Sequence, residues 1–500
     1  MSSNHPLDRA LVSGLAWMAC ARWGAQIISW VATLYAARLL LPSDYGIVAM
    51  ATVAIGVARM VEDFGLDAIL IQDRSIQGEQ RAQLAGFVLG FAMVLCLIFL
   101  LVARPVANFF REPQVAWAIG GLSLLFITDA LQVVPRAMLQ RDLAYSRIAV
   151  LALVQTIATQ GMLIEGAHRG WGYWALVLNS LAGALAATVL LIYWRPYAIH
   201  WPRNLPSIAR VLLQGWRQLV SRGAYYFYSR ADHTIIGRVL GKDALGAYSF
   251  AQTLSTTTIQ EVSSVVSQVA PGVFSATQDR RDELRRYFLI LTEFVSYLTL
   301  PMAIGLALTA DLVVPVALGP GWDAVIAPLR LLCMFTAFQN AQLLISHLMV
   351  YTGQFRAFMW CTMVSAVFVP LSYLVGVQYG LEGIAMVMVV IYPLTNIPSL
   401  IMGFRTISIR TRDWLGTQVP AAVSCACMSA AVLAVKQVVA DDYSLLVQCA
   451  LAIVAGVVVY VAAMLLLFRD RLMRMIRLVR DLRRKGPVVP AQVAPVAPID

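Results

Sequence analysis

Residues 37–51 read ARLLLPSDYGIVAMA, and residues 237–251 read GRVLGKDALGAYSFA. At an offset of 200, Arg38 matches Arg238, Leu40 matches Leu240, Gly46 matches Gly246 and Ala51 matches Ala251; upstream, Arg22 matches Arg222 and Ser29 matches Ser229. Further along, the offset becomes 210: Pro105-Val106-Ala107 matches Pro315-Val316-Ala317, and Gly170, Ala175 and Val177 match Gly380, Ala385 and Val387. A chain rich in Leu and Ala produces apolar coincidences freely. Arg, Pro and Gly matches at a sustained offset instead mark an internal repeat, the kind that builds many membrane transporters from two related halves.

The composition supplies the medium in which that repeat folds. Of 500 residues, 60% are hydrophobic and 13% charged, against about 45–50% and about 25% in soluble domains. These numbers disfavour a secreted, disulfide-stapled or disordered protein. A membrane span needs about 20 mostly apolar residues. Fourteen such stretches are expected: 10–34, 43–64, 82–103, 114–137, 146–167, 171–194, 215–238, 244–272, 287–309, 326–350, 356–378, 381–403, 414–435 and 444–468. The seventh and eighth are the most polar. With both termini cytoplasmic, inner segments hold 26 of the 38 basic residues, outer loops 7, and the spans and their edges 5, the bias of a positive-inside topology. The net charge of +11 is therefore mostly an orientation signal, and nucleic acid is not an expected partner.

Six spans separate the repeat copies, so the copies share one orientation, related by an axis along the membrane normal. The expected fold is an all-α polytopic membrane protein of about 14 transmembrane helices, in two parallel-repeat six-helix bundles plus two C-terminal helices. The lobes are expected over 1–205 and 206–405, the two extra helices over 406–468, and a cytoplasmic tail over 469–500. In that tail RDRLMRMIRLVRDLRRK reads as a basic amphipathic helix attracted to anionic lipid, and PVVPAQVAPVAPID as disordered. The start has no cleavable signal pattern.

Several chemistries lack their residues. The seven cysteines, Cys20, Cys96, Cys333, Cys361, Cys425, Cys427 and Cys449, stand in apolar surroundings, and the five histidines show no metal-ligand spacing. No Walker loop, dinucleotide fingerprint or GxSxG is present, and no connection exceeds about 20 residues apart from the tail. No metal, cofactor or enzymatic activity is expected; coupling to a H⁺ or Na⁺ gradient remains open.

ARLLLPSDYGIVAMA, followed by EDFGLDAILIQ, with IIGRVLGKDALGAYSFA opening the second half, resembles the polysaccharide transporter family of lipid-linked oligosaccharide flippases. These belong to the multidrug/oligosaccharidyl-lipid/polysaccharide flippase superfamily. The resemblance runs over residues 10–470 and is greatest to exopolysaccharide members of the colanic acid or xanthan type. It implies that an undecaprenyl-pyrophosphate-linked repeat unit moves from the inner to the outer leaflet of a bacterial inner membrane, alongside a polysaccharide polymerase and co-polymerase. A multidrug exporter and a peptidoglycan lipid-precursor flippase share the architecture and are the competing readings. A membrane polymerase or ligase would be expected to carry a substantial periplasmic segment.

Charges and polar stripes inside the spans nominate the site. Arg22, Gln26, Ser29 and Thr33 share one face of the first span, and Arg222, Tyr226, Ser229 and His233 the equivalent face of the seventh, bordered by Arg230. A buried arginine normally faces a cavity or a partner, and guanidinium matches phosphate oxygens bidentately. Arg22, Arg222 and Arg230 are therefore candidates for holding the pyrophosphate that the resemblance implies; pairing of Arg230 with Asp232 or Glu261 is the alternative. Gln252 and Gln260, with Tyr226 as an aromatic partner, are candidate glycan contacts, helix–helix hydrogen bonding competing, and Gln26 is a candidate substrate contact on the Arg22 stripe. Asp129, Asp232, Glu261 and Glu293 are candidate coupling carboxylates. Arg59, Glu62 and Asp63, at i, i+3 and i+4, form a candidate inner gate or a plain helix-end ion pair.

Overall fold

Helices run through the described part of every expected span. The computed structural model describes residues 23–63, 70, 78–142, 144–201, 226, 229–277, 280–439, 443–471 and 473, apart from the side chains of 60–63, 258–266, 268–269, 340–341 and 355. Residues 23–37 form α1. Then come α2 (Pro42–Asp63), α3 (Gly78–Phe110), α4 (Gln114–Arg141), α5 (Tyr145–His168), α6 (Tyr173–Trp194) and α7 (Ala231–Val239). The second half continues with α8 (Lys242–Thr277), α9 (Arg281–Leu318), α10 (Ile326–Tyr351), α11 (Phe355–Gly376), α12 (Gly380–Thr406), α13 (Thr411–Val439) and α14 (Leu445–Leu467). No strand occurs among the described residues.

Nine stretches among the described residues have the length and hydropathy to cross a membrane. One of them, Arg356–Thr406, holds α11 and α12 joined by a 3-10 turn. Val454, Val457, Val458 and Leu465 on α14, and Leu97, Leu100 and Leu101 on α3, are exposed, as lipid-facing residues are. The chain is a multi-pass membrane protein. Arg22, Arg222 and the amphipathic stretch beyond residue 473 lie outside the described residues, as do the side chains of Glu62, Asp63, Gln260 and Glu261.

The chain divides into two compact units. The first comprises Met1–Ser249 with Ala317–Trp322, and the second Phe250–Val316 with Asp323–Asp500. In the first, α4 is held to α6 by Gln132, whose amide donates to Thr188 Oγ1 at 3.1 Å and to the Ala184 carbonyl at 3.2 Å. In the second, Gln342 of α10 donates to Ser399 Oγ at 2.7 Å and Asn396 Oδ1 at 3.2 Å of α12. Gln132 and Gln342 stand at the repeat offset of 210. One buried amide thus does the same joining in both copies, where the bilayer offers no competing water. The repeat also extends to the backbone: matched Gly170 and Gly380 both take φ 72°, a left-handed conformation that glycine adopts without steric cost.

In the second unit α13 packs on α14 and on α9. Leu312, Cys425, Met428, Val432, Cys449 and Ala452 form a buried cluster there. Lys436 of α13 is salt-bridged to Asp311 of α9 at 2.6 Å, and Arg330 of α10 donates to the same carboxylate at 3.1 Å. The described cysteines are free and apart from Cys427 buried, as their apolar flanks indicate.

Candidate functional site

At the end of the first unit expected to face outward, the α1–α2 and α7–α8 turns are fastened in matched ways. Arg38 donates through Nε to the Ala317 carbonyl at 3.1 Å, and the Trp322 indole N–H donates to the Ala37 carbonyl at 2.9 Å. Trp322 is only 2% exposed and meets the Tyr45 ring edge-on with centroids 5.5 Å apart. On the matched side, the Arg238 guanidinium lies 5.5 Å from the Phe109 ring centroid, and Lys242 is salt-bridged to Glu112. Arg38 and Arg238 are repeat equivalents at 200, and the 107–112 and 317–322 segments are equivalents at 210.

From that end inward, α2 continues against Tyr226. The Tyr226 hydroxyl donates to the Thr52 carbonyl at 2.9 Å, and its ring occupies the space that any Cβ on Gly56 would need, 1.8 Å from the hydroxyl. Ser229 donates back to the Tyr226 carbonyl at 3.0 Å. Arg230 is exposed, with its guanidinium 3.5 Å from His233 Nε2. Among the described residues no carboxylate is paired with it, and the side chain of Glu261 lies outside them.

Asp232 is 1% exposed and fully engaged. It accepts from the backbone N–H of His233 at 2.7 Å and from the Tyr248 hydroxyl at 3.1 Å, while His233 Nδ1 lies 2.9 Å away. Arg59 of α2 donates to Asp129 of α4 through Nε at 3.0 Å, with a second contact from its terminal nitrogen. This joins a candidate gate residue to a candidate coupling residue 70 positions away. Glu293 in the second unit accepts from the Tyr297 hydroxyl, and Arg471 lies 3.6 Å from it. Gln252 is half-buried, and its carbonyl takes the Thr256 hydroxyl at 2.7 Å within α8.

Between α1 and α5 lies a cavity of about 420 Å³. Gln26 and Ser29 of the α1 stripe line it, opposite Gln155, Thr156, Thr159 and Gln160 of α5. Gln160 donates to Ser29 at 3.0 Å. The structure thus brings Gln26 together with α5, and Tyr226 and Arg230 with α2, His233 and the Asp232 cluster. The sequence reading passed over the α5 amides, the Lys242–Glu112 pair and Trp322. For the last two, the 210 offset carried seven residues past Pro105 and Pro315 was the available signal.

The family described as polysaccharide biosynthesis protein matches residues 36–327. The chain is 24% identical over 334 residues to the lipopolysaccharide biosynthesis protein WzxC of Escherichia coli (strain K12), covering 66% of this chain and 67% of that one. It is 24% identical over 317 residues to the succinoglycan biosynthesis transport protein ExoT of Rhizobium meliloti (strain 1021), covering 63% and 64%. Among solved structures, lipid II flippase MurJ in its inward closed conformation superposes with a TM-score of 0.73 at 12% identity, covering 91% of this chain and 99% of that one. This last likeness establishes the fold.

Proposed function

This chain belongs to the polysaccharide biosynthesis protein family, and on that premise we propose that it is an inner-membrane flippase for undecaprenyl-pyrophosphate-linked oligosaccharide repeat units. It carries them from the cytoplasmic to the periplasmic leaflet, with both termini cytoplasmic and a polysaccharide polymerase and co-polymerase acting on the delivered glycan. Arg22, Arg222 and Arg230 hold the pyrophosphate, and the two lobes alternate access to it.

One observation carries this reading: the matched fastening of repeat-equivalent residues at the expected outer end, Arg38 to Ala317 and Arg238 to Phe109. Two related turns tied by related residues can be released together, as alternating access between two states requires. Arg230, exposed and without a carboxylate partner among the described residues, supplies a permanent positive charge below that closure. A carboxylate such as Asp129 or Asp232 returns protons or Na⁺ during the cycle.

The test is deletion of the gene with assay of lipid-linked repeat units on each face of the inner membrane. Cytoplasmic-face accumulation, relieved by the wild-type gene and not by Arg230→Ala, is expected. Normal export in the deletion strain overturns the reading.

A further inference from the structure

We propose that the cavity between α1 and α5 is a glycan subsite, taking an uncharged sugar ring of the transported lipid through Gln26, Gln155, Thr156 and Gln160. The proposal rests on the flippase reading above and names where the sugar, as distinct from the pyrophosphate, is held.

The first support is the chemistry of the lining. Three amides and three hydroxyls converge on about 420 Å³, within the usual range of small-molecule pockets, and no charged side chain is among them. Each amide offers both donor and acceptor, the pattern that complements sugar hydroxyls. A pyrophosphate or an organic cation would instead call for fixed charge. Ile148 and three alanines, Ala25, Ala149 and Ala152, complete the walls with apolar surface, against which the C–H face of a pyranose can pack.

A second support is that the lining is not spent on the fold. Gln160 Oε1 is buried and accepts no hydrogen bond, and an unpaired buried acceptor is normally avoided. Among the described residues, Gln26, Gln155 and Thr156 have no side-chain hydrogen bond either, and the Gln160–Ser29 bond is the one polar link across this helix pair.

The repeat gives the third. Equivalent positions in the second half are Tyr226 and Ser229 for Gln26 and Ser29, and Ser365, Ala366, Val369 and Pro370 for Gln155, Thr156, Thr159 and Gln160. Polar glue needed to hold the repeat together would recur in both copies, as Gln132 and Gln342 do. Ser29 recurs as Ser229 and Gln155 is matched by the polar Ser365, whereas the three amides and two threonines of the lining occur in the first copy alone. Gln26 lies eleven residues before the end of α1 and Gln160 eight before the end of α5. At 1.5 Å per residue that is roughly 12–17 Å below the helix ends, near the midplane of a core about 30 Å thick, where transporter ligands bind.

The experiment uses purified full-length protein and two probes: the oligosaccharide released by mild acid from the host's own lipid-linked intermediate, and inorganic pyrophosphate. Gln155→Leu with Thr156→Val is expected to weaken oligosaccharide binding by about tenfold or more, the scale of one lost hydrogen bond, and to leave pyrophosphate binding unchanged. Gln160→Met, which removes the unpaired oxygen together with the amide N–H that donates to Ser29, carries the same expectation if the double variant does not reach the membrane. Equal loss for both probes, or no loss for the sugar, overturns the subsite. A wild-type protein that binds the released sugar but moves no lipid-linked intermediate overturns the flippase reading and leaves the subsite standing. One that flips normally, with variants binding sugar as it does, overturns the subsite alone.

Discussion

Gly46 and Gly246 each lie against the other's helix. A Cβ on Gly46 would come within 1.9 Å of the Lys242 carbonyl oxygen, and one on Gly246 within 1.7 Å of the Pro42 carbonyl oxygen. Pro42 and Lys242 open α2 and α8 and are themselves equivalents at 200, so the contact is reciprocal. Backbone touches backbone here because neither residue has a side chain to prevent it.

Substituting either glycine therefore opens this seam. Gly46→Leu and Gly246→Leu are each expected to lower transport by about tenfold or more while the protein still inserts. In a cysteine-free background, Ser229→Cys should become more reactive to a membrane-impermeant maleimide from the periplasm. Unchanged labelling together with unchanged transport would sink the idea that the seam is a closure.

Trp322 fastens the same end from the α9–α10 turn. Trp322→Ala removes a side chain 2% exposed together with its hydrogen bond to Ala37. Such truncations cost about 3–5 kcal/mol. A fall in membrane abundance and in the melting temperature of the detergent-solubilised protein is expected, with Trp322→Phe intermediate.

The Arg59–Asp129 pair predicts non-additivity. Asp129→Ala leaves a guanidinium in the span without its partner, an unfavourable state in a membrane. Adding Arg59→Ala removes that charge. The double variant should be more stable than the sum of the single losses implies, with a coupling of about 0.5–3 kcal/mol. Thermal unfolding of the four proteins of the cycle measures it, and additive losses would show the pair to be incidental.

Asp232 separates a structural from a coupling role. Asp232→Ala strips the acceptor from the His233 backbone N–H and the Tyr248 hydroxyl inside the protein, at about 1–3 kcal/mol for each group left unsatisfied, so it should be poorly folded. Asp232→Asn keeps the shape and an oxygen for Tyr248. If the Asp232–His233 pair carries the coupled proton, Asp232→Asn retains sugar binding and loses pH-gradient-driven flipping in vesicles. Retained gradient-driven flipping assigns Asp232 to structure alone.

The family matching residues 36–327, a helix in the described part of each expected span and the repeat were legible in the chain itself. Hydropathy, positive-inside charge and a residue offset are one-dimensional quantities, and a bilayer acts on them directly. Gly46 and Gly246 could be matched on the sequence; that they touch could not. The sequence offered Arg59 two acids one helical turn away, Glu62 and Asp63, and packing of α2 on α4 brings it Asp129. It showed Gln26 on a polar stripe, and only the rotation of α5 against α1 turns Gln155, Thr156 and Gln160 toward it. Which helix faces meet is decided by how side-chain ridges and small residues let backbones approach in three dimensions. The medium and the repeat are thus written along the chain, and the partners of its buried polar groups are written in the packing.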